Sequence, residues 1–238
     1  GDIGCDRTLS DPVDFATGDF VLIQTDLFLP GRGLNVEFKR TYRSLHGTWD
    51  FRNPDRYTAS NPVPLVSGEP IPYQRLGPMG RNWDHSYNIY VEVLNASTIN
   101  VFTGDCRYTN YVLDTTESSA GVSDVRTLAA GKIAVLRPKW LGMNRLVLTA
   151  SQSTPPVVSV KMILPGDVEW DFSALQPITG VSPVVDGTPM AVALLTAIRD
   201  RDGNQINLGY DSSWRLSTIV DPMGRQVSVG YASGSRQI

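Results

Sequence analysis

LTAIRDRDGNQINLGYDSSWR, residues 195–215, is followed directly by LSTIVDPMGRQVSVGYASGSRQI, residues 216–238. The second line repeats the first without a gap. Leu195, Ile198, Asp200, Gly203, Gln205, Gly209 and Tyr210 recur 21 positions on as Leu216, Ile219, Asp221, Gly224, Gln226, Gly230 and Tyr231. A fixed period of roughly 20 to 50 residues marks a supersecondary unit that stacks on its neighbours. The unit reads as a β-hairpin. Its turns are Asp200-Arg201-Asp202-Gly203 and Asp221-Pro222-Met223-Gly224, and Asp first, Pro second and Gly fourth are what a type I turn favours. The returning strand alternates: Ile206, Leu208 and Tyr210 fall on one face, Gln205, Asn207 and Gly209 on the other, and Val227, Val229 and Tyr231 repeat the pattern. Period 2 with one apolar face is the mark of a half-buried antiparallel strand. Asp200 and Asp221 are therefore read as turn caps, not catalytic groups.

The bulk of the chain is consistent with a β protein. It has 238 residues, 41% hydrophobic and 19% charged, with 21 Gly and 16 Pro. That length buries a sizeable core, and frequent Gly and Pro suit many short strands joined by turns. The net charge of −3, with acid and base mixed, carries no footprint for nucleic acid. No apolar run reaches the length of a membrane span. The chain begins at Gly1 without a signal-peptide pattern, so the natural start is expected to lie elsewhere. Cys5 and Cys106 form no Cys-x-x-Cys motif; one disulfide and two separate thiols both remain open.

Read in order, the chain divides into residues 1–46, a Pro-rich loop at 47–78, a hairpin region at 79–190 and the two repeats at 191–238. In the first part, Phe20-Val21-Leu22-Ile23 and Leu27-Phe28-Leu29 read as two strands, the second stopped by Pro30-Gly31. After the turn Gly31-Arg32-Gly33, Leu34, Val36, Phe38, Arg40 and Tyr42 share one face of a further strand. Arg40 on an apolar face is expected to meet a carboxylate, because a buried unpaired charge is costly. Six prolines between Pro54 and Pro78 exclude a helix or a central strand there. Hairpins are expected over Ile99–Val112, Lys132–Ala150 and Val157–Phe172. The last two, each a strand, a Gly-containing turn and a second strand, resemble the terminal unit in degenerate form.

Tyr210-Asp211 closes a unit of the form L-x-x-I-x-D-x-x-G-x-x-x-x-x-x-Y, which resembles the YD repeat of Rhs and related proteins. The front of the chain extends the resemblance. Residues 11–44, DPVDFATGDFVLIQTDLFLPGRGLNVEFKRTYRS, are similar to the segment that precedes the repeats in that family. The matching elements are Asp11, Pro12, Val13, Thr17 and Gly18; then Thr25 to Leu27, Leu29, Pro30, Gly31, Gly33 and Leu34; then Arg40, Tyr42 and Ser44. A further family pattern, G-x-G-W-x-H-S-Y, is met by Gly80, Trp83, His85, Ser86 and Tyr87, with Asn82 in place of the second glycine. The resemblance implies an all-β fold of consecutive antiparallel hairpins with little or no helix, beginning a hollow YD-repeat β-shell. Residues 1–46 would be its N-terminal plug. It implies a structural, non-catalytic role in enclosing a C-terminal toxin or effector, whose partners are the rest of the same shell, that effector and the delivery machinery. It implies an exported protein, secreted or at the cell surface, held in a bacterial cytoplasm before delivery. The open edge after Tyr231 fits a chain that is the front piece of something longer.

The chemistry-bearing residues are few. His46 and His85 sit in no zinc pattern, and no metal site or cofactor is expected. His85-Ser86 invites a Ser/His reading, but neighbours on one strand point to opposite faces. Asp200, Asp202 and Asn204 sit at calcium-loop spacing without the glycine and distal glutamate of an EF-hand. Trp49, Tyr57, Tyr73, Trp83, Trp140, Trp170 and Trp214 are scattered; most are expected to pack. An extracellular adhesion or carbohydrate-binding β-domain is the alternative function.

Overall fold

The computed structural model describes residues 13, 18–44, 79, 83–140, 142–177, 191–212 and 214–231. Cys5, Asp11, Pro12, Thr17 and the Pro-rich loop at 47–78 lie outside them. Strands follow one another along the described chain: β1 Val21–Leu29, β2 Val36–Arg43, β3 Trp83–His85, β4 Ile89–Asn95, β5 Thr98–Thr103, β6 Tyr108–Leu113, β7 Ile133–Pro138, β8 Arg145–Ala150, β9 Val158–Leu164, β10 Val168–Phe172, β11 Gln176–Pro177, β12 Ala191–Arg199, β13 Gln205–Tyr210, β14 Leu216–Val220 and β15 Gln226–Ser228. The helical content is slight, including a 3-10 turn at Val125–Thr127. The all-β expectation holds, and the hairpins read from the sequence turn where they were placed.

β12 organises the larger sheet. On one side its residues 191–194 pair with β4 and its residues 197–199 with β13. β10 and β11 also pair with it. The antiparallel path β4-β5-β6-β7-β8-β9-β10-β12 therefore returns to β4 and closes a barrel, while β13, β14 and β15 leave it as a meander. Closure removes the sheet edges that would otherwise invite pairing. Register shows which face fills the barrel. Val91 opposes Val101, Val93 opposes Ile99, and Ile99 opposes Tyr111. Ala134 opposes Leu148, which opposes Val160. These inward residues are all buried.

The core continues beyond the barrel. Ile206, Leu208, Leu216 and Ile219 of the meander join one cluster with Val36, Phe38 and Tyr87, so the β1-β2-β3 sheet covers the apolar face of the repeats. The alternation expected of Ile206, Leu208 and Tyr210 is the alternation observed.

Two readings of the N-terminal part change. The segments 20–23 and 27–29 belong to one strand, β1. Asp26 is an extra residue in it, bulged between Thr25, opposite Lys39, and Leu27, opposite Phe38. A bulge inserts a residue without ending a strand, and the charged Asp26 looked like a break. The second change concerns β2. Its buried face changes along the strand: Val36 and Phe38 are buried at its start, Thr41 and Arg43 of the other face at its end. Arg43 Nε lies 3.3 Å from Asp19 Oδ2, both side chains buried, and Ser44 Oγ donates to Asp19 Oδ1 at 3.1 Å.

Candidate functional site

The repeat turns and the N-terminal hairpin meet in one place. The Asp200 turn is closed by the Gly203 N–H donating to the Asp200 carbonyl at 3.1 Å. Asp200 Oδ1 accepts from the N–H groups of Asp202 at 3.0 Å and Asn204 at 2.8 Å. Its Oδ2 accepts from Asn204 Nδ2 at 2.8 Å. The Asp221 turn repeats this with Met223 and Arg225: their N–H groups donate to Oδ1 at 2.9 and 2.7 Å, and Arg225 Nε donates to Oδ2 at 2.7 Å. Gly203 and Gly224 have φ of 82° and 78°, the left-handed region that glycine adopts without penalty. Pro222 holds the second turn position. These carboxylates are occupied by their own turns. The Asn204 amide leads the contacts that hold the Asp200 carboxyl below its ordinary value. At Asp221 burial pushes upward, but the Arg225 and Met223 N–H groups and the Arg225 guanidinium outweigh it, and the net shift is down.

A third copy of the turn escaped the sequence reading. Trp214 N–H donates to the Asp211 carbonyl at 2.9 Å. Arg215 donates from N to Asp211 Oδ1 and from Nε to Oδ2, each at 2.9 Å. Trp214, at φ 61°, stands where the other copies have glycine. The Asp and the basic residue four positions on were the available signal; the missing glycine hid it.

The N-terminal hairpin tip docks on these turns. Pro30 offers its carbonyl to Arg225 Nη2 at 2.5 Å. Gly33 lies so close to the first turn that a Cβ there would sit 2.3 Å from Asp200 Oδ2 and 2.4 Å from Asn204 Nδ2. Gly31 is confined by its own hairpin: a Cβ would sit 1.9 Å from the Leu34 carbonyl oxygen. The glycines of the PGRG stretch thus have separate steric reasons.

The repeat tyrosines act as caps. Tyr210 Oη donates to the Leu195 carbonyl at 2.6 Å and Tyr231 Oη to the Leu216 carbonyl at 3.0 Å, each spanning 15 residues. Both leucines flank a bulge. Thr196 is the extra residue opposite β10, and Ser217 the extra residue opposite β13.

The Trp83–Tyr87 stretch is a strap along β2. Trp83 packs on Tyr42 with ring centroids 5.3 Å apart, and Arg40 lies over its ring at 5.6 Å. Arg40 meets the expected carboxylate, donating from Nη2 to Asp26 Oδ1 at 2.6 Å. His85 is buried and stacks on Phe38 at 5.1 Å, and its Nδ1 accepts from Tyr87 N–H at 3.3 Å. Ser86 Oγ donates to the Glu37 carbonyl at 2.9 Å and accepts from Lys39 N–H at 3.1 Å. Tyr87 Oη accepts from Glu37 N–H at 3.1 Å. Asp84 ties the strap to the β5–β6 turn, accepting from Asn88 Nδ2 at 2.6 Å and Cys106 N–H at 3.2 Å. His85 and Ser86 are thus oriented to different backbone partners. Gly18, at φ 72°, leads into Asp19. Among the described residues no group of three His, Cys, Asp or Glu side chains gathers to hold a metal ion.

A family model described as a domain of unknown function, DUF6531, matches residues 10–52, which bracket the segment 11–44. No curated protein matches the chain in sequence. Among solved structures it is similar to a chain of the Photorhabdus luminescens Tc holotoxin pore with mutant TccC3, at TM-score 0.53 and 15% identity over 86% of this chain and 9% of that one. It is also similar to a chain of a TcdB2-TccC3-Cdc42 complex, at TM-score 0.51 and 15% identity with the same coverage. The N-terminal domain of the effector protein SpvB from Salmonella typhimurium aligns at TM-score 0.46 and 14% identity, over 89% of this chain and 68% of that one. The chain thus spans about a tenth of the length of the first two. Its all-β fold is Rhs-like, as the sequence resemblance implied.

Proposed function

We propose that this chain is a non-catalytic structural piece of an Rhs or YD-repeat shell that encloses a C-terminal toxin or effector for delivery. The observation that carries the reading is the docking of the Pro30–Gly33 tip on the Asp200 and Asp221 turns. It couples the plug segment to the first repeats of a meander that leaves the barrel at β12. Each 21-residue unit adds hairpin strands in one direction, as a growing repeat array does. The family's enclosed effector, its delivery machinery and export belong to this proposal. The non-enzymatic assignment is supported by His85 and Ser86, whose polar atoms serve the β2 strap. No helix among the described residues is long and apolar enough to cross a membrane.

The test is limited proteolysis of the longest natural chain that contains this sequence. A C-terminal region that resists protease while the shell is intact, and becomes sensitive when the shell is unfolded, is the expected result. A C-terminal region cleaved equally fast in both states overturns the proposal. The adhesion alternative draws on the row Phe20, Tyr42 and Trp83, linked at 6.1 and 5.3 Å. Glycan-array binding that is lost in Trp83→Ala would favour it.

A further inference from the structure

The β7–β8 loop lies on the barrel, apart from the repeat turns, and has an unusual surface. Trp140 is 65% exposed and Met143 81% exposed, the two most open large apolar side chains among the described residues. Lys139 N–H donates to the Asn110 carbonyl at 2.8 Å, and a Cβ on Gly142 would come within 2.8 Å of Pro138 Cγ. Trp140 and Met143 are therefore flanked by positions held against the barrel.

Cations outnumber acids beside the loop. Of the six Lys or Arg between Val125 and Gly166, a stretch with no Asp or Glu, Arg126 pairs with Asp124 and Lys161 with Glu169 and Asp171, just outside that stretch; Arg137, Lys139 and Arg145 flank the loop itself. At the loop, Lys139 Nζ sits 5.7 Å from the Trp140 ring centroid. Arg137 and Arg145 share one carboxylate, Glu117, which leaves the neighbourhood cationic.

We infer that the β7–β8 loop is a contact point for an anionic phospholipid surface. The proposal goes beyond the shell reading and does not depend on it. An amphipathic Trp ring with a basic neighbour suits the boundary between headgroups and acyl chains, where the ring buries and the ammonium stays wet. A convex tip of two side chains falls short of the roughly 800 Å² per partner of a stable protein interface. A lipid surface takes such a tip without a matching concavity. Each cation near an anionic leaflet raises partitioning by roughly fivefold, within a Debye length.

The experiment is co-sedimentation of the whole chain with phosphatidylcholine vesicles, with and without phosphatidylserine, at low and high salt. Binding that requires phosphatidylserine, falls with salt, and weakens by roughly tenfold in Trp140→Ser is expected. Lys139→Glu should weaken it also. Both side chains lie on the surface, and circular dichroism checks that the fold is kept; Met143→Ser is the second apolar variant if Trp140→Ser misfolds. No vesicle binding, binding that ignores headgroup charge, or equal binding by the loop variants overturns the inference. Trp140-dependent self-association in sedimentation velocity, without vesicle binding, overturns it in favour of a second copy. None of these failures touches the shell reading, whose readout is protease protection.

Discussion

Gly33→Ala isolates the contact between the N-terminal hairpin tip and the repeats. Two costs separate. Gly33 has φ 76°, and a left-handed Ala costs about 1–2 kcal/mol. The added Cβ would lie 2.3 Å from Asp200 Oδ2 and 2.4 Å from Asn204 Nδ2, so those side-chain ends must move. They are bonded to each other at 2.8 Å, and giving up that bond costs about 1 kcal/mol more. The expected loss is about 2–3 kcal/mol in urea unfolding. Gly203→Ala is the matched control: φ is 82° but a Cβ meets nothing within 4 Å, so only the strain of about 1–2 kcal/mol applies. In an Asn204→Ala background part of the Gly33→Ala penalty is already absent, and a coupling of about 1 kcal/mol is expected. If Gly33→Ala costs no more than Gly203→Ala, and the cycle shows no coupling, the hairpin tip does not press on the repeat turn and the docking argument fails.

Further outcomes follow from the repeat geometry. Tyr210→Phe removes the donor to the Leu195 carbonyl while keeping the ring, and should lower stability by about 1 kcal/mol; an unchanged urea midpoint would refute the cap. Gly224→Val should lower stability by about 2 kcal/mol, at least as much as Gly203→Ala, because a β-branched residue suits the left-handed region worse than Ala; melting temperatures of the two variants decide. Asp200 and Asp221 have folded pKa values below their unfolded ones. Their contribution is full above the unfolded carboxylate value of about 3.9 and is lost as pH falls through the lower folded values. Thermal melts from neutral pH downward should show the repeats weakening below about pH 4, and Asp200→Asn should flatten that dependence.

What was legible in the sequence was local. Alternation placed Val36 and Phe38 inward, and Asp-x-x-Gly placed the turns of the two units. Arg40 on an apolar strand announced a carboxylate, though Asp26 was hidden in a bulge that breaks the apolar rhythm. The Asp211 turn was missed because Trp214 occupies its left-handed position. Arg215 holds Asp211 as Arg225 holds Asp221, and it also lies over the Tyr231 ring at 4.1 Å. The Asp19–Arg43 pair joins a turn residue to the end of a strand, with no periodic signature. Barrel closure was out of reach for the same reason: the β4–β12 and β10–β12 pairings depend on registers between distant segments, which periodicity does not encode.

The tyrosine explains why the repeat can be stacked. In each unit a strand carries an extra residue, Thr196 or Ser217, and the leucine before it has a carbonyl taken by the unit's own tyrosine. The same tyrosine backbone then faces the next unit's bulge, as Tyr210 faces Leu216. A unit thus satisfies its own irregular carbonyl before a neighbour arrives, and a further unit need supply only a strand edge. β10 tests this logic within the chain. Phe172 opposes Leu195 across the β12 bulge just as Tyr210 opposes Leu216, so the β9–β10 hairpin occupies the place of a preceding unit. Phe172 has no hydroxyl. The carbonyl 15 residues before it, the spacing of the tyrosine caps, is that of Val157, and it accepts instead from the Ser151 N–H at 2.9 Å. Where another part of the barrel supplies the donor, the ring is kept for packing and the hydroxyl is dispensable.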